Sequence, residues 1–198
     1  MSPIRRNALP LALVCLMTAF GACAADDGSE ERINREEISA TDVPADAPKF
    51  DAYPAVPYTG ANAPLQLGSD PEARLFRTRL REWSTHKVNF AGHYILTGWG
   101  CGSGCLSTML IDARNGHAFH PEELAALTWF KVDPTLWDAG PGQPWTNEGP
   151  LKFTANSKLL IAIGAPNEDS GRRGISYYVW DHERLELVRR VAKPFGMK

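Results

Sequence analysis

Glycine occupies every second position in a short stretch near the middle of the chain, and two of the four cysteines lie within it. The glycines are Gly98, Gly100, Gly102 and Gly104, and the cysteines are Cys101 and Cys105. Glycine allows positive φ and lets the backbone pass close to other atoms. A disulfide across only three intervening residues closes a tight ring that needs this freedom. The stretch is therefore typical of a stapled turn that links two strands and fixes their register.

The residues on both sides of this stretch predict strands. Apolar side chains recur at every second position over residues 87–98, which is the period of a strand. Ala91-Gly92 predicts a bend in this strand. A second strand is expected over residues 106–113. Asn115-Gly116 is a strong signal for a hairpin turn, so residues 117–120 should return as a short third strand.

One amphipathic helix is predicted over residues 70–84, ahead of these strands. Asp70 suits the cap of a helix, and Pro71 suits its first turn. Apolar side chains then follow at helical spacing, at Phe76, Leu80 and Trp83.

The C-terminal third is typical of a β-meander. Four runs rich in Ile, Val, Tyr and Leu cover residues 151–154, 158–163, 175–180 and 185–191, with a longer polar loop at 165–174. The sequence therefore predicts a mainly β (α+β) fold. We expect an antiparallel β-meander or sandwich-like sheet with one N-terminal amphipathic helix.

Three motifs carry a resemblance to a known family. They are VNFAGHY at residues 88–94, GWGCGSGC at 98–105 and IDARNG at 111–116. The pattern resembles a family of uncharacterised secreted proteins of Gram-negative bacteria, and it continues in a C-terminal block at Leu151–Trp180. The resemblance covers most of residues 85–182. It implies export and this type of fold, and it supplies no activity because none is established for the family.

The N-terminus has the features of a secretory signal peptide over residues 1–24. Arg5 and Arg6 precede an uncharged apolar run at residues 8–20, which is too short for the roughly 20 residues of a membrane-spanning helix. Small residues follow at 21–24. Two ways of processing are open. A signal peptidase could cleave after Ala24. Alternatively, Ala19–Cys23 resembles a bacterial lipobox, in which Cys23 would be lipidated and become the N-terminus. The lipid is the only membrane attachment that we expect.

Residues 25–60 are expected to form a flexible tether, followed by a single β-rich domain at 61–198. Residues 25–50 hold eight acids and three bases, and such a segment buries too little apolar surface to order itself. The tether favours the lipid anchor and a location in the periplasm or at the outer membrane. Residues 51–198 carry 16 bases and 15 acids, so this part of the chain lacks the positive charge typical of nucleic-acid binding.

Export also determines which cysteines remain in the mature chain. Cys15 is lost with the leader, and Cys23 is either removed or lipidated. Cys101 and Cys105 then remain in an oxidising compartment, where we expect them to form a structural disulfide. Two alternatives stay open. The pair could be redox-active, or Cys101 and Cys105 could join His93 to bind copper or zinc, since thiolate and imidazole suit these metals.

The signals for catalysis are weak. Ser103, His93 and Asp112 can be drawn as a triad, but Ser103 stands one place late for a nucleophile elbow, and no strand-to-helix turn is predicted there. We therefore favour a binding or interaction module over an enzyme, with no cofactor. The expected partner is an envelope protein or a small ligand. The candidate binding residues are His93, Trp99, Ser103, Arg172 and Arg173.

Overall fold

The computed structural model describes residues 36–68, 70–137 and 149–195. Eight antiparallel strands within these ranges form one open sheet. In chain order they are β1 Tyr94–Gly102, β2 Cys105–Asp112, β3 Ala118–Phe119, β4 Ala126–Thr128, β5 Leu151–Phe153, β6 Leu159–Pro166, β7 Gly174–Asp181 and β8 Arg184–Ala192. The order across the sheet is β1-β2-β4-β6-β7-β8, with β3 beside β2 and β5 beside β6. The predicted mainly β, antiparallel fold is confirmed.

The central hairpin differs in its bounds from the two predicted strands. β1 begins only at Tyr94, because the chain before it makes a tight turn in which Phe90 and Tyr94 pair with each other. β1 then continues through the glycines to Gly102. The sequence had predicted a loop there, between one strand at 87–98 and another at 106–113. The hairpin turns at Ser103 and Gly104, and a bulge interrupts the ladder between Gly100 and Gly102.

The predicted helix at 70–84 is divided in two. α1 covers Pro71–Leu75 and α2 covers Arg77–Trp83, with Phe76 between them in a non-helical conformation (φ −96°, ψ 19°). Asp70 caps α1 by accepting hydrogen bonds from two backbone N–H groups. The break lets the ring of Phe76 pack on Trp99 of β1, with the ring centroids 4.2 Å apart.

Three apolar clusters hold the sheet and its coverings together. The largest joins the two halves of the sheet, since Leu96 and Leu110 share it with Leu160 and Tyr178. Successive residues of a strand face opposite sides, so the other face of β1 and β2 packs under α1 and α2 in a second cluster. A third cluster covers the outer face of β6 and β7 with the segments around residues 38–53 and 129–136.

The N-terminal segment contrasts with the expected tether at 25–60. Over residues 36–60 it packs along the domain, where Ile38 is fully buried and pairs with Val132. Lys193 binds the carboxylate of Asp42 at 2.7 Å, and Ser157 donates a hydrogen bond to the carbonyl of Phe50. A few well-placed apolar and paired charged groups thus order a segment whose average composition suggests disorder. The predicted signal peptide 1–24, the lipidation of Cys23 and the rest of the tether lie outside the described residues.

Helices long and apolar enough to cross a membrane do not occur in the described part of the chain.

Candidate functional site

The predicted pairing of Cys101 with Cys105 is confirmed. Their Cα atoms lie 5.1 Å apart at the tip of the β1–β2 hairpin. Cys101 is exposed, whereas Cys105 is buried at the start of β2. The turn that the disulfide closes contains Gly104 at φ 65°, a conformation that favours glycine. The disulfide therefore fixes the end of the hairpin.

His93 lies at the opposite end of the same hairpin. Tyr94 pairs with Asp112, whereas Gly102 pairs with Cys105 eight residues further along β1. At roughly 3.3 Å per residue, this separates His93 from the disulfide by about 26 Å. The structure thus does not bring His93 to the two cysteines as the metal alternative requires, nor Ser103 to His93 and Asp112. No group of three or more potential metal ligands occurs in the described ranges.

His93 belongs instead to a polar corner built around a buried carboxylate. The side chain of Asp112 is 3 % exposed and accepts hydrogen bonds from the backbone N–H of Arg114 at 2.9 Å and from the Asn115 amide at 3.1 Å. Nε2 of His93 lies 3.8 Å from Oδ2 of Asp112, too far for a hydrogen bond. Burial lowers the pKa of His93; Asp112 opposes this shift, and Arg114 adds to it.

A pocket of about 250 Å³ opens at this corner. Its wall combines aromatic, basic and acidic side chains from the two halves of the sheet: Tyr94, Trp180, His93, Arg114, Lys158, His182, Asp181 and Glu183, with Ala91. Because the charges of both signs alternate around a small volume, the corner suits a small polar ligand or water. It has no nucleophile with a base in hydrogen-bonding distance among these residues.

The other candidate binding residues differ in their accessibility. Trp99 is only 6 % exposed and contributes to the core below α1 and α2. Ser103 is exposed at the hairpin tip. Arg172 is half-exposed and pairs with Asp169 at 3.1 Å.

Arg173 is a candidate binding residue from the sequence, and the structure places it in the interior. Its side chain is 1 % exposed and donates hydrogen bonds to the carbonyls of Phe130, Lys131 and Lys193. The ring of Phe195 lies 4.2 Å from the guanidinium carbon. Carbonyl groups replace the water that a buried cation loses, so Arg173 ties three segments together and is not presented to a partner.

One large groove was missed by sequence reasoning. A groove of about 820 Å³ lies between residues 57–65 and 84–88, with Ala155 at its margin. The side-chain amide of Asn62 links these two segments, which form the walls of the groove. It donates hydrogen bonds to the carbonyls of Ser84 and His86, both at 2.7 Å. The sequence marks 57–65 only as a Pro- and Gly-rich lead-in. No local pattern shows that it meets a segment more than 20 residues away.

The groove is lined by both apolar and polar side chains. The larger apolar ones are Pro57, Pro64, Leu65 and Val88, and the polar ones include Tyr58, Thr59, Ser84, Thr85, His86 and Lys87. Trp83 packs edge-on to His86, with their ring centroids 4.6 Å apart. His86 and Lys87 are exposed and can reach a bound molecule.

In comparisons with known proteins, no family model, no curated protein and no solved structure matches the chain significantly. The resemblance to the secreted family therefore stays a prediction that its three motifs carry. The function has to be inferred from the stapled hairpin, the polar corner and the groove.

Proposed function

We propose that the chain is an exported binding module of the cell envelope whose ligand occupies the groove between residues 57–65 and 84–88. The observation that carries this proposal is the groove itself. Its volume of about 820 Å³ lies within the range of typical ligand sites, about 300–1,000 Å³. The Asn62 bonds to Ser84 and His86 set the distance between its walls before any ligand arrives.

The lining indicates the type of ligand. Prolines, Leu65 and Val88 offer contact to an apolar body, and Tyr58 adds an aromatic surface. The exposed ammonium of Lys87 lies at the rim, where it can pair with an anionic group without being desolvated. A small organic anion with an apolar body fits this arrangement best.

Two features support the envelope as the location. The N-terminal residues have the order of charge, apolar run and small residues that export requires. The Cys101–Cys105 disulfide also suits an oxidising compartment, since cytosolic thiols are kept reduced. With Cys23 as a lipid anchor, the domain would work at the periplasmic side of the outer membrane.

Site-specific photo-crosslinking in cells tests the groove. A photoreactive amino acid replaces Thr59, an exposed residue of the groove lining, in the full chain, and a matched variant carries it at Arg184, which is exposed on β8. We expect a covalent adduct of low mass at position 59 and none at position 184. Equal labelling at both positions, or labelling at neither, would contradict a ligand in the groove.

The alternative, a redox or metal-handling role of Cys101 and Cys105, has a separate test. The purified, non-reduced chain should contain no titratable thiol and no stoichiometric copper or zinc. Two titratable thiols in envelope material, or bound metal that is lost when both cysteines are replaced, would favour this alternative over a structural disulfide.

A further inference from the structure

We propose that the edge of β1 at Gly98 and Gly100 docks an extended polypeptide segment of a partner protein, which adds to the sheet as a further strand. This surface is separate from the groove. The proposal agrees with the proposed binding function, but it does not require a ligand in the groove. Strand addition at a sheet edge is a general mode of peptide recognition in which main-chain hydrogen bonds supply the affinity.

The hydrogen bonds of the Asn89 side chain on the same edge show which way the N–H and C=O groups of Gly98 and Gly100 point. Oδ1 of Asn89 accepts a hydrogen bond from the N–H of Leu96 at 2.7 Å, and Nδ2 of Asn89 donates to the carbonyl of Leu96 at 2.9 Å. Both groups of Leu96 therefore point away from β2. In an antiparallel ladder the inward and outward pairs alternate, so Gly98 and Gly100 also point outward.

The partner strand agrees with this register. Gly98 lies opposite Thr108 of β2, and the N–H of Thr108 donates to the carbonyl of Ala125, on the side away from β1. A pair in which both members point outward does not share a hydrogen bond. Each glycine thus offers one N–H and one C=O at the edge, and no residue in the described ranges bonds to them.

Asn89 shows which chemical group this edge accepts. Its planar amide presents one donor and one acceptor to Leu96, as a peptide group of a neighbouring strand would. The next two positions along the edge, at Gly98 and Gly100, have the same backbone arrangement without an amide from the described residues. The occupant that matches them is the backbone of an extended chain.

Glycine at these two positions is not explained by backbone strain. Gly98 and Gly100 lie outside the positive φ region, in contrast with Gly102 and Gly104. A Cβ atom on Gly100 would come no closer than 4.0 Å to its nearest neighbour, the carbonyl oxygen of Cys105. The backbone here is accessible to a neighbouring chain, since Gly98 is partly exposed and Gly100 is exposed.

The charges of the two sheet edges also differ. β8, the opposite edge, carries Arg184, Glu186, Arg189 and Arg190, and charged residues on an edge discourage strand addition. β1 has no charged residue from Tyr94 to Gly102. We therefore expect a partner segment without charges opposite Gly98 and Gly100.

Nuclear magnetic resonance titration of the ¹⁵N-labelled chain tests the proposal. The ligand is the blocked peptide acetyl-Thr-Val-Thr-Val-Thr-amide, and its control carries N-methyl groups on alternate residues, which remove the donors facing one neighbour. We expect the amide signals of Gly98 and Gly100 to shift with the first peptide and to exchange with solvent more slowly. The methylated peptide should leave both signals unchanged.

A variant separates edge pairing from unspecific contact. Gly100→Pro removes the outward N–H, and Trp99 before it already has the extended conformation that proline requires. We expect the Kd for the peptide to rise about fivefold or more, whereas Leu187→Ala at an exposed position of β8, the opposite edge, should leave it unchanged.

Three results would overturn the proposal. The Gly98 and Gly100 signals could stay unmoved at millimolar peptide, or Gly100→Pro could bind as tightly as the native chain. Shifts of these signals with protein concentration alone would assign the edge to a second copy. Because all readouts lie at the edge, each of these results leaves the groove proposal to its own crosslinking test.

Discussion

Single buried polar side chains connect distant segments of this protein. Arg173 holds the carbonyls of residues 130, 131 and 193, and Asp112 gathers the turn at Arg114 and Asn115. Neither role follows from sequence pattern, since the loop 165–174 and the turn after β2 both look like exposed polar segments. Which of two adjacent arginines is buried depends on the three segments that meet there.

The neighbours Arg172 and Arg173 provide a matched pair for measuring this. Arg173→Met should lower the free energy of unfolding by about 3 kcal/mol, because three carbonyls lose a charged donor in a buried site. Arg172→Met, at a half-exposed ion pair, should change it by less than about 1 kcal/mol. Urea unfolding measures both. Equal losses would contradict the assigned roles.

His93 predicts a pH dependence. Burial places the pKa of His93 in the folded chain below its unfolded value of 6.5. The unfolded chain therefore binds the proton more readily, so this contribution to stability is complete above pH 6.5 and declines as the pH falls below that value. We expect His93→Gln to reduce the loss of stability between pH 7.5 and 5.5 in urea unfolding. His182→Gln, at an exposed position, is the control, and identical pH profiles for all three chains would contradict the assignment.

Among the elements, the strand periodicity predicted the sheet better than it predicted the ends of the strands. The pattern over 87–98 predicted one strand bent at Ala91-Gly92, but the observed chain makes a full turn there and β1 begins only at Tyr94. The backbone of Gly92 packs so closely to the carbonyl of Val56 that a Cβ atom would lie 2.8 Å from it. This contact joins segments far apart in sequence, so periodicity alone could not show it. Phe76, at the helix break, likewise contacts a residue distant in sequence, Trp99 of β1.

Removal of the disulfide tests the hairpin as an element. Replacing both Cys101 and Cys105 by Ala should cost about 2 kcal/mol, since a short closed loop removes little entropy from the unfolded chain. The melting temperature should then fall by roughly 4–8 °C, as calorimetry would show. Labelling in the groove should persist because the groove lies away from the hairpin tip. A loss of labelling without unfolding would contradict a purely structural role.

At the scale of the whole molecule, residues 36–60 show how single positions can outweigh average composition. Average composition predicted a tether to residue 60, but burial depends on single positions, and Ile38 fills the third cluster although acids surround it in sequence. The groove was missed for a related reason. Its walls come from segments that only the tertiary fold brings together through Asn62. The stapled hairpin, in contrast, is local and was predictable from its glycines and cysteines.

The packing of this segment has a direct test. Ile38→Ala should lower the free energy of unfolding by about 2–4 kcal/mol, as for other large-to-small changes in a core. Val56→Ala, at a side chain that is 91 % exposed, should have little effect. Chemical denaturation measures both variants. If Ile38→Ala leaves the midpoint unchanged, residues 36–60 behave as the tether that composition suggests.

The central claim of an exported, disulfide-stapled binding module is tested most directly by native mass spectrometry of the chain recovered from the cell envelope. We predict a chain without its leader, beginning at Ala25 or at an acylated Cys23, and lighter by two hydrogen atoms than the reduced form. A non-covalent ligand of low mass should accompany it and be lost in Tyr58→Ala. A full-length chain confined to the cytoplasm, with all four cysteines as free thiols or with stoichiometric copper or zinc, would contradict the account.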